Sequence, residues 1–280
     1  GSAQPVGGSD AFKREGVFSS VLGVFTSAVR LMDERSLIYD WNTVEYDFKR
    51  DASNHPHGVW FDDETLRDGL QSPSARNPTI EQKIELLSYM EQLGLQKVDL
   101  GLPGAGPFHR SHIDAMLTHI SENDYAIRPG AAVRTLMSDI EPLVEMQAKH
   151  GMEIQASAFL GTSPIRQYTE GWTMEKLITT MEKAVSYAVE NDVPVMFVTE
   201  DTTRSNPEDV KMIYQRAMEL GVRRLCVCDT CGHVTPNGVK KLLAFIDEEV
   251  IKDAGYHRRD IEVNWHGHQD RGLGVANNIA

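Results

Sequence analysis

The amino-acid sequence predicts an α/β fold, a TIM-type (β/α)8 barrel whose eighth β/α unit is absent from the chain. The first observation is that short apolar strands alternate strictly with amphipathic helices from Val59 onward, as in a parallel sheet covered by helices. The second is that polar residues capable of chemistry follow almost every predicted strand. A closed barrel gathers all strand ends at one mouth, whereas an open doubly wound sheet uses only those at its switch point, so the barrel is favoured.

Seven runs of apolar and β-branched residues are the predicted strands. They comprise residues 58–62, 97–100, 130–134, 153–159, 193–199, 224–228 and 261–265. The sequence ends at Ala280, inside the predicted seventh helix, and is therefore one β/α unit short of a closed barrel. We expect the barrel to be truncated at its C-terminus.

The predicted helices place apolar residues three and four positions apart, as Ile84, Leu87 and Met90 do in the first of them. They comprise residues 80–93, 139–150, 173–191, 207–220 and 236–253. After the second strand, residues 101–106 are rich in glycine but lack the lysine and hydroxyl residue of a phosphate-binding P-loop. We predict a mobile loop at the barrel mouth there, with His109 and His112 facing solvent.

Residues 1–58 are predicted to be an N-terminal extension, and residues 59–280 the catalytic barrel domain. Gly1-Ser2 resembles the remnant of an expression tag, the segment from Ala11 to about Trp41 has a helical pattern, and residues 51–57 form a polar connector. We expect the extension to pack on the barrel or on a partner chain.

The composition is that of an ordinary globular protein, with 41% hydrophobic and 25% charged residues. The formal net charge of -13 argues against a general affinity for nucleic acid or anionic membranes. No apolar run is long enough to span a bilayer. The three cysteines lie together in Cys226-Val-Cys228-Asp-Thr-Cys231, which predicts buried strand cysteines in a reducing compartment, the cytoplasm, rather than disulfides or a thiolate metal site.

The strongest chemical signal is His266-Gly-His268, which follows the last predicted strand. Two histidines separated by one residue on an extended strand point the same way, so both imidazoles can reach one metal ion. For an isolated pair, one packed and one capping histidine would be the default interpretation. Asp68 at the end of the first strand adds a carboxylate, and this mixed set leaves positions open for substrate oxygens and water. Arg67 beside it offers a fixed cation, although a simple salt-bridged turn is the alternative.

Six ordered segments together resemble the DRE-TIM metallolyase family, which contains isopropylmalate, homocitrate and citramalate synthases and hydroxymethylglutaryl-CoA lyase. The resemblance runs from about Val59 to Ala280. The segments are Thr65-Leu66-Arg67-Asp68-Gly69-x-Gln71, Gly161-Thr162-Ser163, Glu200-Asp201-x-Thr203-Arg204, Asp229-Thr230-x-Gly232-x-x-Thr235-Pro236, His266-x-His268-x-Asp270-x-Gly272 and Ala276-Asn277.

By position, the resemblance implies that Asp68, His266 and His268 hold a divalent metal, which would be Mg, Mn or Zn. The family's remaining protein ligand is an Asn on the eighth strand. The resemblance also implies that Arg67 stabilises an enolate or a keto oxygen and that Glu200 has an acid/base role.

The resemblance assigns four further residues to substrate binding. Gln71 would contact the substrate near Arg67. Arg134 and Thr230 would hold the carboxylate of a 2-oxo acid, and Thr162 lies in a segment that matches the synthases.

The implied activity is a Claisen-type condensation of acetyl-CoA with a 2-oxo acid, as in amino-acid biosynthesis, carried out by a homodimer. Two alternatives stay open. Leu70 stands where the synthases usually have Glu, so an acyl-CoA lyase of the hydroxymethylglutaryl-CoA type is the second interpretation. A non-catalytic scaffolding homologue is the third. Asp99 and Gln269 also depart from the usual Glu and Asn of the family.

Overall fold

The computed structural model describes residues 37–44, 58–73 and 75–280. Most of the predicted N-terminal helix lies outside these residues, as do the tag remnant and the polar connector. The described end of that helix is different from the prediction, because residues 41–43 form a turn. Trp41 in this turn is 1% exposed, packs against Phe245 with ring centroids 5.0 Å apart, and donates a hydrogen bond to the carbonyl oxygen of Ser205 at 3.2 Å. This short segment therefore packs on the barrel.

Seven parallel strands form one sheet in which each strand pairs with the next in sequence. They are β1 (Asp62–Asp63), β2 (Lys97–Asp99), β3 (Arg128–Arg134), β4 (Gln155–Gly161), β5 (Val195–Glu200), β6 (Arg224–Asp229) and β7 (Glu262–Gly267). Among the described residues, β1 pairs only with β2 and β7 only with β6, so the sheet curls as a half-barrel with two edges. The predicted barrel architecture with seven units in this chain is confirmed.

Helices follow the strands and cover the outer face of the sheet. The α-helices in the described part of the chain are α1 (Ile80–Gln92), α2 (Pro107–Glu122), α3 (Met137–His150), α4 (Pro164–Glu170), α5 (Met174–Glu190), α6 (Pro207–Glu219), α7 (Pro236–Phe245) and α8 (Gly274–Ile279). Helix α1 starts with a capping box, in which Thr79 and Gln82 satisfy each other's backbone N–H groups. None of the helices among these residues has the length and apolar character needed to cross a membrane.

The first strand is shorter than predicted because its partner begins late. Asp62 pairs with Lys97, the first residue of β2, so Val59, Trp60 and Phe61 have no strand opposite them on that side. Their side chains are 78%, 42% and 65% exposed. The apolar run at residues 58–62 predicted a longer strand than the two-residue strand that the structure contains.

The observed helices differ from the predicted ones at two places. Helix α2 was not predicted, because its first turn reads Phe-His-Arg-Ser-His and only later places Ile113, Met116 and Leu117 on a buried face. The predicted helix 236–253 ends as an α-helix at Phe245 and continues as a π-helix over Ile246–Lys252. Apolar spacing alone does not distinguish a π-helix from a continued α-helix.

Residues 101–106 were predicted to be a mobile loop, but they are packed. Pro103 is buried within a short 3₁₀ turn, Pro103–Ala105. A Cβ on Gly104 would lie 2.2–2.4 Å from the buried carboxylate of Asp139 on α3. His109 and His112, also predicted to face solvent, are both half-buried on α2.

Side chains alternate between two cores along the central strands, as the period of a strand requires. Leu225 and Val227 on β6 belong to the large cluster between the sheet and the helices. Cys226 and Cys228 instead form a small inner cluster with Met196. The prediction of buried strand cysteines is therefore right for these two, whereas Cys231 in the following turn is exposed.

Candidate metal centre

The turn after β1 carries Arg67 and Asp68 at the carboxyl end of the sheet. The backbone carbonyl of Glu64 accepts hydrogen bonds from the N–H groups of Arg67 at 3.2 Å and Gly69 at 3.0 Å. Leu66 in the middle of the turn is 2% exposed and packs in the main core. Backbone hydrogen bonds and the buried side chain of Leu66 therefore fix the turn that carries Arg67 and Asp68.

The two histidines at the end of β7 meet Asp68 across the gap between the sheet edges. Nε2 of His266 and Nε2 of His268 are 2.9 Å apart. Nε2 of His268 is 3.7 Å from Oδ2 of Asp68. The ligand atoms of the three residues all lie within 4.8 Å of one another, so the three predicted metal ligands come together.

These three side chains fit a divalent metal ion. Ligands about 2.1 Å from one ion and at right angles are about 3.0 Å apart, close to the separation of the two Nε2 atoms. Burial, and next the charge of Arg67, lowers the pKa of His266 to about 4, so its imidazole is neutral and keeps a lone pair to donate at neutral pH. Two imidazoles and one carboxylate suit Zn or Mn better than Mg, which prefers oxygen ligands.

Arg67 lies among three carboxylates. Its Nε and Nη2 contact Glu64 Oε2 at 2.7 and 2.6 Å. Its Nη1 donates to Asp68 Oδ1 at 3.1 Å, and its Nε is 3.8 Å from Asp99 Oδ2. The guanidinium is thereby held beside Asp68, one of the candidate metal ligands.

The carboxyl groups around Arg67 outnumber the positively charged groups. Burial, followed by repulsion from Asp99, raises the pKa of Glu64 well above its ordinary value, although Arg67 opposes the shift. Burial raises the pKa of Asp99 to about 6, again against Arg67. Oδ2 of Asp99 is buried without a hydrogen-bond partner. A bound cation would relieve this excess of buried negative charge.

Glu200 ends β5 and faces the same barrel mouth. Its Oε2 is 3.5 Å from Nη2 of Arg166, on helix α4. Burial raises the pKa of Glu200, while Arg166 opposes the shift. A carboxyl group with a raised pKa and a cationic neighbour is suited to hold and release a proton.

The predicted substrate-binding residues lie in different surroundings. Gln71 is exposed in the 3₁₀ turn Gly69–Gln71. Thr162 is fully buried and donates a hydrogen bond to Ser205 Oγ at 3.1 Å. Thr230 Oγ1 accepts a hydrogen bond from the backbone N–H of Asp201 at 2.8 Å. Thr162 is therefore occupied with supporting a neighbouring loop, whereas Gln71 remains accessible.

Arg134 is bound to a carboxylate of its own chain. Its Nε and Nη2 donate to the two oxygens of Asp139, each at 2.8 Å. The side chain of Asp139 is fully buried, while that of Arg134 is 48% exposed. To hold a substrate carboxylate, Arg134 would have to do so with the part of its guanidinium that Asp139 leaves free.

Two residues of the site were missed by the sequence reasoning as functional candidates. Glu64 was not assigned a role, although it stands only three residues before Arg67, with which it pairs. Arg166 lies in an unpredicted helix, α4. A Cβ on Gly161 would lie 3.3 Å from Glu200 Oε2 and 3.4 Å from Arg166. The glycine therefore leaves room for these two side chains to meet.

Several curated relatives of this chain are named 2-isopropylmalate synthase. It is 27% identical over 228 residues to the 2-isopropylmalate synthase of Sediminispirochaeta smaragdinae, covering 80% of this chain and 43% of that protein. It is 31% identical over 220 residues to the 2-isopropylmalate synthase of Oceanobacillus iheyensis, covering 78% and 40%. The chain thus spans about two fifths of the length of the curated relatives it matches.

Solved structures and a family model agree on the fold. The HMG-CoA lyase of Brucella melitensis superposes with a TM-score of 0.61 at 18% identity, covering 79% of this chain and 76% of that one. At this identity the likeness concerns the fold alone. The model of the HMGL-like family matches residues 59–280, the span of the resemblance found from the sequence motifs. The chain therefore belongs to the HMGL-like family of enzymes.

Proposed function

We propose that this chain carries the catalytic site of an acyltransferase that condenses acetyl-CoA with a 2-oxo acid, assisted by a divalent metal. The observation that carries the proposal is the convergence of Asp68, His266 and His268 within 4.8 Å, beside the guanidinium of Arg67. The synthase relatives support the direction of the reaction.

The metal would be held by Asp68, His266 and His268, and would polarise the keto group of a 2-oxo acid. Arg67 would then donate hydrogen bonds to an oxygen on which negative charge develops during carbon–carbon bond formation. Its pairing with Glu64 and Asp68 fixes the guanidinium, so little reorganisation is needed at that moment.

Glu200 is the chain's candidate for moving a proton to or from the acetyl methyl group. The raised pKa of Glu200, caused mainly by burial, increases its basicity as a carboxylate. Gln71, Thr230 and the free part of Arg134 would orient the substrate. Overall, acetyl-CoA, a 2-oxo acid and water give a tertiary hydroxy dicarboxylic acid and free CoA.

The release of free CoA tests the proposal directly. A thiol reagent added to the protein with acetyl-CoA, Mn²⁺ and each of a panel of 2-oxo acids should detect one thiol for each turnover. Asp68→Asn should abolish the signal, whereas Asp114→Asn, on the outer helix α2, should retain it. Thiol release that does not need any 2-oxo acid, or that survives Asp68→Asn, would contradict the proposal.

A lyase is the second candidate, because Arg67-Asp68-Gly69-Leu70-Gln71 resembles the lyase form of this segment. A lyase would convert hydroxymethylglutaryl-CoA to acetyl-CoA and acetoacetate without releasing free CoA. Chromatography of the acyl-CoA products therefore separates the two activities. If the chain binds neither metal nor 2-oxo acid, the third candidate, a scaffolding homologue, is favoured.

We also propose that the protein acts as a cytoplasmic homodimer, as the resemblance implies. The three cysteines are all free thiols, which is consistent with a reducing environment. Light scattering of the full chain gives the test: a mass equal to one chain at micromolar concentration would contradict the dimer.

A further inference from the structure

Glu64 uses its two carboxylate oxygens for different partners. Oε2 accepts hydrogen bonds from Arg67 Nε at 2.7 Å and lies 2.6 Å from Nη2 of the same residue. Oε1 faces Nδ1 of His266 at 3.8 Å. The side chain is 23% exposed, and its own backbone carbonyl anchors the turn that carries Arg67. One carboxylate thus joins the end of β1 to a histidine on β7.

The ring of His266 has two nitrogens with separate surroundings. Nε2 faces His268 Nε2 at 2.9 Å, at the position where the candidate metal ligands converge. Nδ1, on the other side of the ring, faces Glu64. The nitrogen that binds a metal is set by the hydrogen bond of the other nitrogen, and a carboxylate in that role fixes both the tautomer and the orientation of the ring.

We propose that Glu64 is a positioning residue, whose Oε1 holds His266 in the tautomer that presents Nε2 to the metal while its Oε2 holds Arg67. The inference rests on the metal site of the proposed function. The separation of 3.8 Å places the two atoms within ion-pair range, and Arg67 holds the other oxygen of the same carboxyl group.

The neighbouring histidine provides an internal comparison. Nδ1 of His268 is 3.9 Å from Oδ2 of Asp270, a separation close to that of the Glu64 pair. The side chain of Asp270 is 61% exposed, however, against 23% for Glu64. Asp270 also has no guanidinium clamp among the described contacts. Water competes with an exposed carboxylate for the imidazole, so Asp270 should orient its histidine much less strongly.

The test measures Mn²⁺ binding to the full chain without substrate, by competition with a fluorescent chelator. Glu64→Gln should weaken Mn²⁺ binding by about 10- to 100-fold, the range found for partners that orient metal ligands. Asp270→Asn, which removes one charge at nearly the same distance from a ligand, should weaken it by less than about 3-fold. Both variants are also measured in about 1 M KCl, where the Debye length is about 3 Å and longer-range attraction by charge is screened.

The salt measurement separates orientation from charge. If Glu64 positions His266, the difference between Glu64→Gln and the wild type persists in high salt. Equal losses in Glu64→Gln and Asp270→Asn, or a loss that disappears in high salt, would overturn the inference in favour of general electrostatics. Imidazole nitrogen shifts measured by NMR on the metal-free protein add a second readout: His266 should carry its proton on Nδ1 in the wild type, and lose that preference in Glu64→Gln.

Two further outcomes are distinguishable. If Glu64→Gln does not fold, Glu64→Asp keeps the carboxyl group and shortens its reach by one methylene; it should bind Mn²⁺ several-fold more weakly, and unchanged binding would overturn the inference. A wild type that binds no Mn²⁺ removes both this inference and the metal site. A wild type that binds Mn²⁺ but does not release CoA refutes the proposed reaction and leaves the role of Glu64 to be decided by the binding data.

Discussion

Replacing Asp62 with Asn should stabilise the protein at neutral and alkaline pH. Asp62 lies at the start of the sheet, and its Oδ1 is buried without a hydrogen-bond partner. Burial, followed by repulsion from Asp99, raises the pKa of Asp62 from its ordinary 3.8 to about 7, although Lys97 opposes the shift. The folded protein therefore holds the proton more tightly than the unfolded chain does.

The sign of the pH dependence follows from this difference. Because the folded-state pKa is raised, the contribution of Asp62 to stability is fully present below pH 3.8 and is lost as pH rises to about 7. A rise of this size corresponds to an upper bound of about 4 kcal/mol, since each tenfold change in proton affinity is about 1.4 kcal/mol. Water and neighbouring groups respond to the charge, so we expect a gain of about 1–2 kcal/mol for Asp62→Asn near pH 8.

Urea unfolding of both proteins across the pH range checks this expectation. The gain should be largest near pH 8, less than about half as large near pH 5, and accompanied by an unchanged denaturant slope. Asp114→Asn is the matched control with the opposite sign, because hydrogen bonds from Lys149 and His150 lower the pKa of Asp114. An Asp62→Asn protein that is less stable than the wild type near pH 8, or a gain that does not change with pH, would refute the reasoning.

Three further predictions concern the network below the site, the loop after β2 and the metal ligands. Tyr214→Phe should lower the free energy of unfolding by about 1–3 kcal/mol, because the buried hydroxyl makes hydrogen bonds of 2.6 and 2.7 Å; Tyr89→Phe, with an exposed hydroxyl, should cost less than about 0.5 kcal/mol in the same urea titration. Gly104→Ala should destabilise by about 1–3 kcal/mol in thermal unfolding, because its Cβ would collide with the buried carboxylate of Asp139, 2.2 Å away; a neutral effect would mean that this contact can relax freely. Mn²⁺ at about 100 times its dissociation constant should stabilise the wild type by about 2.7 kcal/mol, EDTA should reverse the effect, and Asp68→Asn should show neither response in calorimetry.

The sequence predicted the parts of this protein that depend on local pattern. The alternation of strands with helices such as α1 and α5 follows from periodicity, since each element must bury one face. His266-x-His268 places both imidazoles on one side of an extended strand for the same reason, and the two Nε2 atoms indeed lie 2.9 Å apart. The family followed from ordered motifs, and the match over residues 59–280 confirmed it.

Pairing between distant segments was decided only by the tertiary structure. Most of the apolar run before Asp62 lies outside the sheet, because β2 begins at Lys97, whose backbone N–H bonds only as far back as the carbonyl oxygen of Phe61. Helix α4 supplies Arg166 to Glu200, although its short sequence gives no strong periodic signal. The packing of Gly104 against Asp139 likewise joins two elements that are far apart in sequence.

The pKa values of the candidate site were also decided by the tertiary structure. Asp68 and Glu64 lie within three residues of Arg67 in the sequence, but the contact of Arg67 with Asp99 requires that β1 pairs with β2. A pKa depends on burial and on neighbours within a few ångströms, and neither quantity is encoded in local sequence. The identity of the candidate ligands was therefore determined by the sequence alone, whereas the lowered pKa of His266 and its approach to Glu64 were decided by the fold that brings β1 and β7 together.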